Sequence, residues 1–206
     1  MQFEHQKKNK LNFNITNIIS NCKGVFHGNS TDFNASHISI DSRSLQNGNN
    51  TLFLAIKGQN HDAHFYLEEL IAKGVRYFVV EYIPEHLYNQ ANFILVKNTL
   101  VALHKVAIAY RQKFDFPFIG ITGSNGKTIV KEWLNFLLSP NHLIVRNPKS
   151  YNSQVGVPLS ILGIEGNYDF GIFEAGISLP NEMLQLEQII QPKYGILTNI
   201  GAAHDE

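Results

Sequence analysis

Phe116-Pro117-Phe118-Ile119-Gly120-Ile121-Thr122-Gly123-Ser124-Asn125-Gly126-Lys127-Thr128 is the stretch from which the fold of this chain can be read. Its apolar first half predicts a buried strand and its small, polar middle a tight loop. Ile129, Val130, Trp133, Leu134, Leu137 and Leu138 then recur at helical spacing until Pro140, which predicts a helix with one buried face and with Lys127 and Thr128 on its first turn. Strand, glycine-rich loop and helix in that order form a phosphate-binding loop. Small residues let backbone N–H groups approach phosphate oxygens, a lysine reaches the terminal phosphates, and a threonine hydroxyl suits Mg²⁺. Gly123, Ser124, Asn125, Gly126, Lys127 and Thr128 are therefore the expected nucleotide-binding residues. The register departs from the standard loop, because Ile121 stands five residues before Gly126 and the neighbouring glycines are Gly120 and Gly123. A variant loop is expected.

Downstream, strand-like runs (Leu143 to Val145, Phe170 to Glu174, Tyr194 to Thr198) alternate with helix-like ones (about Val155 to Leu162, Asn181 to Ile190). Such alternation predicts a parallel sheet with right-handed crossovers and ligands at the carboxyl ends of its strands. Upstream lies a second α/β pattern. Strands are expected at Ile38 to Asp41, Thr51 to Ile56, Val75 to Glu81 and Phe93 to Val96, and helices near Ala63 to Lys73 and from Thr99 to Lys113. Pro117 disfavours helix at Phe116, which places the domain boundary near Phe114. The expected architecture is a small amino-terminal α/β domain, residues 1–113, followed by a parallel-sheet domain with the phosphate loop, residues 114–206.

Composition narrows the function. The 206 residues carry 17 basic and 17 acidic side chains with no basic run, which argues against nucleic acid or an anionic membrane as the main partner. No stretch has the length of a membrane span, the amino terminus lacks an apolar signal core, and Cys22 is the single cysteine. A cytoplasmic protein that recognises a small anion is the expectation. Glu174 ends a strand beside the loop and is a candidate Mg²⁺ ligand with Thr128. His204 follows the last strand and is a candidate by proximity.

Gly120 to Thr128, Tyr151-Asn152-Ser153-Gln154-Val155-Gly156-Val157-Pro158-Leu159, Glu174-Ala175-Gly176-Ile177-Ser178 and Asn199-Ile200-Gly201-Ala202-Ala203-His204 resemble, in order, the motifs of the Mur ligases of peptidoglycan synthesis. Gly156-Val157-Pro158-Leu159, with Ser39 to Arg43 and Leu52 to Gly58, look most like members that join D-alanyl-D-alanine to UDP-N-acetylmuramoyl-tripeptide, including the ligase half of forms fused to an alanine racemase. The resemblance implies a P-loop ATPase domain using ATP and Mg²⁺. It implies catalytic roles for Lys127, Glu174 and His204, metal ligation by Thr128, Glu174 and His204, and substrate contacts from Ser42, Arg43, Asn152 and Ser153. It further implies a longer central domain, a downstream modified lysine and a third domain. On that basis the ATPase domain here is expected to be truncated and the chain inactive by itself.

Some residues depart from the family pattern. Ile129 replaces a usual hydroxyl residue, Ser153-Gln154 replace a commoner Asn pair, and Ala63 in Asp62-Ala63-His64 stands where Gly is usual, which bears on the UDP loop because only Gly tolerates every backbone angle. Without the resemblance, a small-molecule kinase and a non-catalytic nucleotide-binding module stay open. A GTPase is disfavoured, since no Asn-Lys-x-Asp guanine signature occurs.

Overall fold

A computed structural model describes residues 12–45, 48–58, 60–149, 151–176 and 181–201. The described chain divides into two compact units, one taking the residues up to Val106 and the other those from Ala107. The division falls inside the helix Thr99–Arg111, a few residues before the boundary expected at Phe114.

In chain order the first unit contains β1 (Phe13–Asn14), α1 (Ile15–Cys22), β2 (Val25–His27), β3 (Asn34–Ala35), β4 (His37–Ser39) and β5 (Thr51–Leu54). A 3₁₀ turn (Ala63–Tyr66), α2 (Leu67–Ala72), β6 (Tyr77–Val80), a second 3₁₀ turn (Glu85–Leu87), β7 (Asn92–Leu95) and the start of α3 (Thr99–Arg111) follow. Its main sheet has the order β2-β7-β6-β5-β4, parallel except for β2, which runs antiparallel to β7. Strands β5 and β6 are buried at every position, as expected of parallel strands covered on both faces. Phe78 stacks on Phe93 at 5.5 Å between ring centres and meets Phe53 edge-on. Helix α1 and strand β2 were not expected from the sequence. The helix has eight residues, is capped by the Asn14 side chain on the Asn17 N–H, and buries only Ile15, Ile18 and Cys22. So short an apolar face gives little periodic signal.

Ala63 sits in ordinary backbone. It opens the 3₁₀ turn and donates its N–H to the Ile56 carbonyl, and it is not among the described residues with positive φ. An alanine at this position therefore leaves the turn unstrained. Next to it, the buried His64 accepts the Glu81 N–H at Nε2, 2.9 Å, so its proton lies on Nδ1 facing Asp62. The Glu81 carboxylate then receives the N–H and hydroxyl of Thr99, tying α3 to the end of β6.

The second unit continues with β8 (Phe118–Thr122), α4 (Lys127–Leu138), β9 (Ile144–Arg146), α5 (Gly156–Leu162), β10 (Phe170–Glu174), α6 (Glu182–Ile190) and β11 (Tyr194–Leu197). The sheet order is β11-β8-β10-β9, all parallel, as the alternation predicts. Because β8 and β10 are central, their carboxyl ends place the phosphate loop beside Glu174. The buried Arg111 holds this arrangement at the opposite end. Its Nε donates to the Ile190 carbonyl at 2.8 Å, Nη1 to Phe114 O at 2.8 Å, and the guanidinium lies 3.7 Å from the centre of the Phe118 ring.

Helix α4 corrects the expected apolar face. Val130, Leu134 and Leu138 pack on Ile119, Ile121 and Ile172, but Ile129, Trp133 and Leu137 are exposed, and the residue of α4 that is fully buried is Lys131. Apolar character alone did not identify the inward side.

Strand β10 crosses Phe118 so closely that Gly171 has no room for a side chain; a Cβ there would lie 2.8 Å from the ring. With Phe118 fully buried and fixed by Arg111, Gly171→Ala is expected to lower stability by about 1–3 kcal/mol through overpacking. Urea unfolding of the two proteins measures this.

Candidate nucleotide-binding site

The loop between β8 and α4 depends on two glycines with left-handed backbone, Gly123 at φ +132° and Gly126 at φ +81°. Gly126 is also the amino-terminal cap of α4, where no side chain takes a cap hydrogen bond. The first N–H groups of a helix have no partner within the helix and carry partial positive charge. Here they open at the mouth of the loop. Lys127 folds over it, its Nζ donating to Gly123 O at 2.5 Å and Ser124 O at 3.3 Å.

The segment after β11 props the loop from beneath. Thr198 donates its hydroxyl to Asn125 O at 2.6 Å, Asn199 Oδ1 accepts the Asn125 N–H at 2.8 Å, and Asn199 O accepts the Ser124 N–H at 3.1 Å. Ser124 Oγ exchanges hydrogen bonds with both the carbonyl and the N–H of Gly201. Two of the quoted sequence motifs are thus a single object, a loop and its support. His204 and the neighbouring Ala202 and Ala203 lie outside the described residues.

Glu174 emerges from the end of β10 and accepts the hydroxyl proton of Thr128 on Oε2 at 3.1 Å. The two residues expected to share a metal are therefore in contact, and their oxygens are hard donors of the kind Mg²⁺ takes. Among the described residues no group of three or more His, Cys, Asp or Glu could form an all-protein cage.

Two residues at this site escaped the sequence analysis. Lys131, fully buried one turn along α4 from Thr128, pairs with Glu174 Oε1 at 2.8 Å and donates to Asn147 O and Lys149 O at 3.0 and 2.5 Å. Asn147, equally buried, brackets the backbone of Glu174, accepting its N–H at 3.0 Å and donating to its carbonyl at 3.3 Å. The available signal was spacing, since Lys131 follows Lys127 by four residues and Thr128 by three and so shares their face.

Asn152 and Ser153 follow directly. Asn152 O accepts the Gly176 N–H at 2.8 Å, while its side chain lies over Gly176, where a Cβ would approach within 2.8 Å. The Ser153 hydroxyl accepts the N–H of Gly156, the first residue of α5, at 3.1 Å, so it is engaged in local structure.

In the other unit, Ser42 is buried and its carbonyl accepts from Lys73 Nζ at 3.3 Å. Arg43 is 88% exposed and forms a two-pronged contact with Asp41, Nε to Oδ1 at 3.0 Å and Nη2 to Oδ2 at 3.1 Å. Hydrogen bonds from the Arg43 side chain, then its backbone N–H, hold the Asp41 carboxyl below its ordinary pKa. Three guanidinium N–H donors are left for another partner.

Comparison with known proteins bears on these observations. Residues 121–206 match the Mur ligase middle domain. The chain is 33% identical over 192 residues to the UDP-N-acetylmuramoyl-tripeptide--D-alanyl-D-alanine ligase of Synechocystis sp., covering 93% of this chain and 42% of that protein. A crystal structure of MurF from Acinetobacter baumannii superposes with a TM-score of 0.87 at 27% identity, covering 94% of this chain and 42% of that one. A crystal structure of MurF ligase from Thermotoga maritima in complex with ADP superposes with a TM-score of 0.74 at 29% identity, covering 82% and 39%. The chain therefore spans less than half the length of these relatives.

The loop glycines allow a graded test of its geometry. A Cβ at Gly123 would collide with the Thr198 hydroxyl and lie 2.8 Å from Asn199 O, Gly126 has space but a left-handed backbone, and Gly195 in β11 has neither constraint. Replacement by Ala should cost most at Gly123, on the order of 1–3 kcal/mol for the backbone strain with the collision added, less at Gly126, and least at Gly195. Denaturation of the three variants checks the order.

Proposed function

We propose that this chain belongs to the Mur ligase family, whose middle domain its residues 121–206 match, and that it carries the UDP-substrate and ATP-binding parts of a UDP-N-acetylmuramoyl-tripeptide:D-alanyl-D-alanine ligase. The observation that carries the proposal is the contact of Thr128 with Glu174 at the mouth of the glycine loop. In this reaction ATP converts the tripeptide's terminal carboxylate to an acyl phosphate, which the amine of D-alanyl-D-alanine attacks to give an amide and phosphate. Bound Mg²⁺ would offset phosphate charge, held by Thr128 and Glu174, with His204 as a further ligand in the proposal.

The protein's own contribution is electrostatic and positional. The N–H groups at the start of α4 receive phosphate oxygens, and Lys127 exchanges its two loop carbonyls for them when the nucleotide binds. In the proposal Asn152, whose carbonyl accepts the Gly176 N–H two residues beyond Glu174, contacts the substrate. In the unit before Val106, Ser42 and Arg43 receive the UDP group. Arg43 does so with its remaining donors or by releasing Asp41, and an arginine fork matches a diphosphate in either case. Among the described residues no helix is long and apolar enough to cross a membrane. The racemase-fused form rests on the sequence resemblance alone.

A small-molecule kinase would use the same loop, and product analysis separates the two, since a ligase yields an amide and free phosphate from one turnover. In the whole ligase, Lys127→Ala is expected to cut kcat by at least roughly a hundredfold while the unfolding midpoint stays near wild type, because Lys127 is not part of the core. Steady-state phosphate release together with thermal unfolding tests both halves, and unchanged turnover would remove Lys127 from the chemistry. Arg43→Ala should raise KM for the UDP-linked substrate and leave kcat nearly unaltered, since binding far from the reacting carboxylate is mostly uniform. An unchanged KM would exclude Arg43 from the substrate site.

A further inference from the structure

Lys131 Nζ donates to the carbonyls of Asn147 and Lys149. The same ammonium stands 2.8 Å from Glu174 Oε1, in an ion pair whose side chains are both fully buried, and 3.5 Å from the more exposed Glu132 Oε1. Among the described residues Glu174 Oε1 accepts no hydrogen bond, so the buried ammonium beside it is what holds it by charge. The other carboxylate oxygen, Oε2, faces the exposed Thr128. Asn147 grips the peptide groups on both sides of the Glu174 Cα, so the carboxylate cannot shift by moving its backbone. The group expected to bind a metal thus has one oxygen paired by charge with a buried ammonium and the other turned to Thr128 at the loop.

That asymmetry has a chemical consequence. Mg²⁺ demands near-octahedral geometry and takes carboxylates through a single oxygen, keeping water in its other positions, whereas Ca²⁺ accepts a larger and looser shell and often takes both oxygens of one carboxylate. We infer that Lys131 is a positioning residue that fixes Glu174 as a one-oxygen ligand and so sets the site's preference for Mg²⁺ over Ca²⁺. This rests on the reading of the site as a metal–nucleotide site. Lys131 touches neither nucleotide nor metal in this account; it acts through Glu174.

The discriminating quantity is a ratio. Replacing Lys131 removes a positive charge near the ion, which strengthens binding of any dication, and leaves a buried carboxylate without its partner, which weakens the structure around it. Both effects act on Mg²⁺ and Ca²⁺ alike and cancel when the two are compared. Freedom of Oε1 to join the metal favours Ca²⁺ alone.

The test is the dissociation constant of the chain for ADP in saturating Mg²⁺ and in saturating Ca²⁺, by calorimetry, for wild type, Lys131→Met and Lys131→Arg. Wild type is expected to prefer the Mg²⁺ complex, Lys131→Met to reduce that preference at least roughly fivefold whichever way the separate affinities move, and Lys131→Arg to retain more of it. Equal changes in both affinities, with the ratio held, would make Lys131 a structural partner only and overturn the inference. Failure of wild type to bind ADP with either ion would instead overturn the nucleotide-site reading, and the inference with it. A measurement on wild type alone covers the case in which Lys131→Met does not fold. Infrared difference spectra of protein labelled with ¹³C-carboxyl glutamate should show the carboxylate stretch separation of a one-oxygen ligand with both ions, and a two-oxygen signature with Ca²⁺ would refute the role.

Discussion

A lysine ammonium with no access to water must give its protons to oxygen, because an unpaired charge in the interior costs several kcal/mol. In the unit from Ala107 that requirement falls on Lys131, and meeting it draws together helix α4, the turn after β9 and the end of β10. Removing one partner of such a pair typically costs on the order of 3–5 kcal/mol. Buried ion pairs are seldom the most stable solution for a core, so their value lies in geometry. Here the geometry fixed is that of Glu174, and through it the position of Thr128 relative to the loop.

The loop itself is built by the same logic applied to backbone. Gly123 and Gly126 adopt conformations that side chains resist, and the first of them lies against Thr198 and Asn199 with no space to spare. Short contacts from Thr198, Asn199 and Gly201 hold the loop before any ligand arrives, so its N–H groups need little reorganisation to meet an anion. Preorganisation of this kind is paid in conformational freedom during folding rather than at each turnover.

Much of this was legible in the sequence. The strand, loop and helix around Gly123 to Thr128, the parallel sheet and the approach of Glu174 to Thr128 followed from periodicity and from the rule that ligands gather at strand carboxyl ends. What was missed has physical causes. Lys131 was passed over because a lysine in an amphipathic stretch normally marks the wet side, and only the positions of Asn147 and Glu174, distant in sequence, make its burial tolerable. Trp133 and Leu137 were assigned inward on apolar character, yet the sheet offers α4 only the strip through Val130, Leu134 and Leu138. Helix α1 and strand β2 are too short for their periodicity to stand out. His204 lies outside the described residues, and its assignment comes from its place after the last strand and from the resemblance.

A crystal structure of this chain with Mg²⁺ and ADP tests the central claim most directly. The terminal phosphate is expected on the N–H groups at the start of α4, Lys127 turned from Gly123 and Ser124 onto phosphate oxygen, and the ion on Thr128 Oγ1 and Glu174 Oε2 with Oε1 still beside Lys131. Nucleotide bound away from the loop, or an ion that engages neither Thr128 nor Glu174, would contradict it.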